Sequence, residues 1–288
     1  MTGTDLMTHS AVFLRPDPSR TVIRPFFAQD QAPFIVEGHT RAQRIVDRVL
    51  TLRPKELEQE VDRVVRSLSE RHRDVNEMLL RRFSEIEGLN IDPTGLNRNC
   101  QLLIGAYFSE EYSFEAAALF NPSMILHPDQ SNLPSETIRF AMSLRGIGEG
   151  HISSVTFRTG TWSLDGEVVI NEPSGTVVSP KVTFTEGEDL DLVTRITYDG
   201  ANDASESVLF PVTPSQRQGI EDLRMVRFVE DDGEIHYLAT YTAFSGMIAR
   251  SELLRLTDFL SFEMRPLTRL IREARPLALS GVCYGSAD

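Results

Sequence analysis

Basic residues, cysteines and long apolar runs are all scarce in this chain. Lysine and arginine total 29 against 42 aspartates and glutamates, for a net charge of −13. A nucleic-acid backbone or an anionic membrane surface needs basic patches, so neither is expected as the main partner. A local basic pocket for one phosphate is still compatible with that balance. The two cysteines, Cys100 and Cys283, lie far apart without metal-type spacing. That argues against a disulfide framework and fits a reducing compartment. No apolar run approaches the ~20 residues that span a bilayer. The stretch from Met1 to His9 lacks a basic segment followed by an apolar one, so it reads as a disordered start and not as a secretory signal. The cytoplasm is the default location. His127, His151 and His236 are too scattered for a metal cluster, and no metal or organic cofactor is expected.

What is present belongs to an ordinary globular protein. The chain has 288 residues, 41% hydrophobic and 25% charged, enough for one large domain or two smaller ones. Val12–Leu14 and Thr21–Ile23 are short β-branched or aromatic runs around the turn signal Arg15-Pro-Asp-Pro-Ser-Arg20. Residues 1–39 therefore read as an extended arm. From 40 to 95 the period is helical. Ile45, Val49 and Leu50 share a face, and Pro54 suits a first helical turn. Leu57, Val61, Val64, Val65 and Leu68 then recur at spacings of three and four, as do Met78, Leu79, Phe83 and Ile86. The charged opposite faces read as solvated surface. Gly88 closes the helical stretch.

Beyond residue 96 the grammar is β. Leu102–Ile104 begins it, and Ser113–Leu119 has an ambiguous period. Strands are expected over Ile138–Leu144, His151–Phe157 and Val168–Ile170, with glycines in the turns. Val182–Phe184 and Arg195–Tyr198 are weaker strand signals on either side of the acidic run Glu186–Asp191. Gly146-Ile-Gly148-Glu-Gly150 lies between strands with no helix after it, so it is not a dinucleotide loop.

Gly219-Ile220-Glu221-Asp222-Leu223-Arg224 concentrates two adjacent carboxylates and an arginine where a strand begins. A charged strand end facing water is the plainer reading. A carboxylate held beside a guanidinium can also be positioned for acid catalysis. An internal repeat favours the second reading. Asn121–Ile125 overlays Asp222–Val226 at an offset of 222 − 121 = 101, and Ile138–Ser143 overlays Ile235–Thr240 at 235 − 138 = 97. Repeated short strands suggest propeller blades, although a β-sandwich also accommodates two copies. In a propeller, equivalent strand starts face the axis, so Asn121 and Asp222 would converge on one pocket.

With these pieces in view, the chain resembles glycoside hydrolase family 130, the mannoside phosphorylases and related β-mannosidases. The matching stretches are Phe120-Asn121-Pro122-Ser123, Ser143-Leu144-Arg145-Gly146, Gly219–Arg224 and Thr240-Tyr241-Thr242-Ala243-Phe244-Ser245-Gly246. The resemblance covers roughly residues 100–268. It implies a mainly β fold, part of a five-bladed β-propeller. About two blades lie in 96–268, preceded by the helical extension. It also implies inverting transfer at a β-mannoside with Asp222 as proton donor. Inorganic phosphate is the nucleophile in the phosphorylases and water in the hydrolases. Asn121, Arg145, Glu221, Arg224 and Tyr241 would contact the β-mannoside oligosaccharide. His151 and Arg250 are candidate phosphate contacts. Homo-oligomerisation is left open.

Leu223 departs from the proline or small residue of many members. The tail 269–288 does not continue the family pattern, as a truncation or shifted reading frame would produce. An inactive sugar-binding fragment is the corresponding alternative.

Overall fold

The computed structural model describes residues 11–30, 40–186, 192–256 and 258–267. The expectations for Met1–His9, for much of the acidic run Glu186–Asp191 and for the tail 269–288 lie outside these residues. The chain divides into two compact units. One comprises Thr21–Ser113 with Gly175–Ser179, and the other comprises Met1–Arg20, Phe114–Ser174 and Pro180–Asp288.

The smaller unit is helical with one two-stranded ribbon. Strand β1 (Thr21–Pro25) is followed by α1 (Arg41–Leu50), α2 (Pro54–Ser69), α3 (Val75–Ser84), α4 (Arg98–Tyr107) and β2 (Ser109–Ser113), which pairs antiparallel with β1. The helix boundaries follow local chemistry. Thr40 caps α1 by accepting from the Gln43 amide at 3.1 Å, Pro54 occupies the first turn of α2, and Asn97 caps α4 through the Cys100 amide at 2.9 Å. Val46, Val49, Leu57, Val61, Met78, Leu79 and Leu103 fill one core, which is the purpose of the three- and four-residue spacing. Removing this apolar surface from water is the main stabilising term.

Helix α4 corrects the reading of Leu102–Ile104 as the start of β structure. Leu102, Leu103, Ile104 and Gly105 are all buried. Four consecutive buried residues leave no amphipathic period over that stretch to betray the helix. Gly105 permits the approach, because a Cβ there would lie 2.0 Å from the Leu79 carbonyl oxygen.

The larger unit is mainly β. It contains β3 (Ala118–Leu126), β4 (Thr137–Ile147), β5 (Ser153–Ser163), β6 (Val168–Ile170), β7 (Lys181–Glu186), β8 (Leu192–Thr197), β9 (Val208–Leu209), β10 (Gly219–Val229), β11 (Ile235–Phe244), β12 (Ala249–Leu256) and β13 (Ser261–Pro266). The sheet order is β3-β4-β5-β10-β11-β12-β13-β8-β7, with β6 and β9 attached to β5. It is an open path of two antiparallel meanders, β3-β4-β5 and β10-β11-β12-β13. Their junction is the parallel pairing of Gly219 with Ser153. Val12–Leu14 forms no strand. Ser113–Ala117 resolves into the end of β2 and a turn before β3. No helix among the described residues is long and apolar enough to cross a membrane.

A buried ion cluster ties the arm before β1 to this unit. Glu115 accepts both nitrogen–oxygen contacts of Arg158 Nη2, at 2.8 and 2.9 Å, and also pairs with Arg20. All three side chains are nearly inaccessible. Arg20 also donates to the Ser205 and Ser174 carbonyls. Burial lowers the Arg20 pKa to about 10, against the opposing charge of Glu115.

Candidate functional site

The two meanders carry the same irregularity at the same place. Strand β3 slips against β4 between Phe120 and Ser123, and β10 slips against β11 between Glu221 and Arg224. Each bulge contains a non-glycine residue in the left-handed region, Asn121 at φ 53° and Asp222 at φ 49°. Asparagine and aspartate are the L-residues that tolerate this conformation best. The pairing repeats the sequence offsets as well. Phe120 faces Arg145 and Ser123 faces Ser143, while Glu221 faces Thr242 and Arg224 faces Thr240.

The bulges turn these side chains toward each other. Asn121 Nδ2 donates to Asp222 Oδ1 at 2.5 Å. Arg145, on β4, forks across both acids, with Nη1 to Asp222 Oδ1 at 3.3 Å and Nη2 to Glu221 Oε1 at 2.5 Å. Its Nε donates to Ser153 Oγ at 3.0 Å, and that hydroxyl lies 3.4 Å from Glu221 Oε1. The Phe120 ring supports the guanidinium, with 5.2 Å from its carbon to the ring centroid. Asp222 is 45% exposed and Glu221 25%. One oxygen of each carboxylate takes the guanidinium. The second oxygen of each receives no donor from a described residue. Two part-exposed carboxylates fixed on one arginine leave two acceptor positions open to a polyhydroxyl ligand.

Glycine is required at the entry to β10. Gly219 has φ 151°, and a Cβ there would lie 2.8 Å from Ser153 Cβ and 3.0 Å from its backbone nitrogen. That close approach sets Ser153 between Arg145 and Glu221.

The remaining residues singled out in the sequence go elsewhere. Arg224 Nη1 donates to the Pro122 carbonyl at 2.8 Å, which locks the two bulges together and is not a contact to the acids. Tyr241 is buried, its hydroxyl donating to Glu252 Oε2 at 2.7 Å and accepting from Gln216. Burial, and next the charge of Glu252, push its pKa up. By the offset of 97 it is the equivalent of buried Leu144. Strand alternation therefore points it into the core and away from a sugar-stacking position. His151 is exposed in the β4–β5 turn at φ 60°, and Arg250 is exposed on β12; neither makes a hydrogen bond or ion pair to the cluster. Ser153 was not legible in the sequence. It belongs to no motif and acts only because Gly219 brings β10 against the start of β5.

No family model matches the chain, and no curated protein matches it. Among solved structures, a glycosyl hydrolase from Bacteroides ovatus aligns at 17% identity over 53% of this chain, with a TM-score of 0.27. This chain spans 32% of that protein's length.

Proposed function

We propose that the Asn121–Arg145–Glu221–Asp222 cluster is the centre of a carbohydrate-active enzyme of the mannoside phosphorylase type. The two meanders are then neighbouring blades of a propeller, and the bulges face its axis. The observation that carries this reading is the fork of Arg145 across Glu221 and Asp222, with Asn121 on the same Asp222 oxygen. Asp222 is the proton donor, its unbonded Oδ2 open to a substrate hydroxyl. In inverting transfer an acid serves one side of the sugar and the nucleophile attacks from the other. Arg145 and Asn121 hold the acid's orientation, and Glu221 offers its open oxygen to a sugar hydroxyl. Inorganic phosphate is the co-substrate in this reading, and β-mannosides are the substrates.

The test is incubation of the protein with β-mannobiose in the presence and absence of phosphate. Mannose 1-phosphate formed only with phosphate supports phosphorolysis. Mannose alone, at the same rate in both, assigns hydrolysis instead. No turnover by the wild-type chain under either condition, or undiminished turnover by Asp222→Asn, contradicts the assignment.

A further inference from the structure

A cavity of about 250 Å³ opens in the β unit, and none of its lining residues belongs to the Asp222 cluster. Glu252, on β12, lines it and is only 5% exposed. Its Oε2 accepts from the Tyr241 hydroxyl at 2.7 Å and from Gln216 Nε2 at 3.3 Å. Gln216 is itself fully buried, its other end taken by the Val212 amide at 3.1 Å. These two side chains are committed to one carboxylate oxygen. The other oxygen, Oε1, receives no donor from a described residue, and no described cation pairs with Glu252. Arg250 lines the same cavity. It stands two residues away on the same face of β12, roughly 7 Å along the strand. Among the described residues it has no carboxylate partner.

Arg265 also lines the cavity but is paired with Glu263 at 2.6 Å, which leaves Glu252 and Arg250 as the acid and the base without a charged partner among the described residues. A buried carboxylate is costly without a positive partner. A neutral sugar would leave both charges unbalanced, and a phosphate would bring an anion against Glu252. A solute with an ammonium at one end and a carboxylate at the other satisfies both. We propose that this cavity binds a small zwitterion of the amino-acid class, with its ammonium on Glu252 Oε1 and its carboxylate on the Arg250 guanidinium. Thr194 and Thr213 add hydroxyl-bearing side chains to the lining. This site is independent of the glycoside reading.

Isothermal titration of the full chain tests it. The probes are the protein α-amino acids and the ω-amino acids from β-alanine to 6-aminohexanoate. Butylamine, butyrate, glucose and inorganic phosphate serve as controls. The expected result is an amino acid whose Kd is at least about tenfold below that of every control. Arg250→Gln should bring that affinity down to the butylamine level, and Glu252→Gln should remove it. Asp222→Asn should leave it unchanged, which separates this site from the proposed catalytic centre. Controls binding as tightly as every amino acid overturn the proposal, and so does an absence of binding. If Glu252→Gln fails to fold by circular dichroism, exposed Arg250→Gln decides alone, and unaltered affinity in that variant overturns the proposal.

Discussion

Asn121 and Asp222 meet because each adopts a backbone conformation that most side chains avoid. A left-handed residue costs on the order of 1–3 kcal/mol, and the paired bulges hold two of them. The cost is offset at the cluster by charge-assisted hydrogen bonds, which are stronger than neutral ones. Backbone and side chain can be separated at position 121. Asn121→Gly keeps the left-handed backbone, relieves its strain and removes the donor to Asp222, two effects of opposite sign on stability. Asn121→Ala removes the donor and adds about 1 kcal/mol of backbone strain. The glycine variant should match wild-type stability within a few tenths of a kcal/mol and lose activity, while the alanine variant loses both, as urea titration and turnover would show. Arg145 is equally specific. Lysine keeps the charge but cannot fork across two carboxylates, so Arg145→Lys should lower turnover by about 10²-fold with little change in melting temperature.

At the scale of elements, the repeat was legible because hairpin registers fix which residues face each other. The offsets of 101 and 97 survive as cross-strand pairs, Phe120 with Arg145 and Glu221 with Thr242, on the flanks of the two bulges. The acids were expected where a strand begins. They are the third and fourth residues of β10, and what composition does not signal is the bulge that holds them. The junction at Gly219 was likewise invisible, since a parallel contact of one residue pair leaves no periodicity. Gly219→Ala should destabilise the protein by about 1–3 kcal/mol through overpacking against Ser153, read as a lower urea midpoint. Loosening the Ser153 bridge should also cost activity.

The ribbon of β1 and β2 contains a pH-sensitive contact. Glu111 receives Arg71 at 2.9 Å and His72 Nε2 at 2.8 Å. The Arg71 hydrogen bond, opposed by burial and aided by His72, lowers the Glu111 pKa to about 2. Burial lowers the pKa of His72 from 6.5, against the opposing pull of Glu111. Both folded values lie below the unfolded ones, so the unfolded chain binds more protons and stability falls with acid. The histidine contribution is lost as pH drops below about 6.5. The Glu111 contribution is full above about 4.5 and is lost as pH falls toward 2. The midpoint of urea unfolding, followed by helical circular dichroism, should fall between pH 7 and 5. His72→Gln should flatten that first decline and leave the loss below pH 4.5.

For the whole molecule, the mainly β class with a helical extension was readable from period alone, whereas the identity of the core ion cluster was not. Arg20, Glu115 and Arg158 come from the residue before β1, the turn between β2 and β3, and the interior of β5, with no spacing in common. Breaking a buried pair by removing one partner is far costlier than the pair's net worth. Glu115→Ala leaves two buried guanidinium groups without their carboxylate and should cost about 3–5 kcal/mol, read as a lower melting temperature. Cooperative unfolding measured by calorimetry would detect it.

Leaving-group dependence tests the proton-donor role proposed for Asp222 most directly. The measurement is the ratio of Asp222→Asn to wild-type turnover on β-mannobiose and on 4-nitrophenyl β-mannoside. The aryl leaving group departs without a proton, whereas the sugar alcohol needs one, a contribution of about 10²–10⁴-fold. The predicted result is a loss of that size on the disaccharide and a much smaller loss on the aryl glycoside. An equal loss on both substrates, or none on the disaccharide, would contradict it.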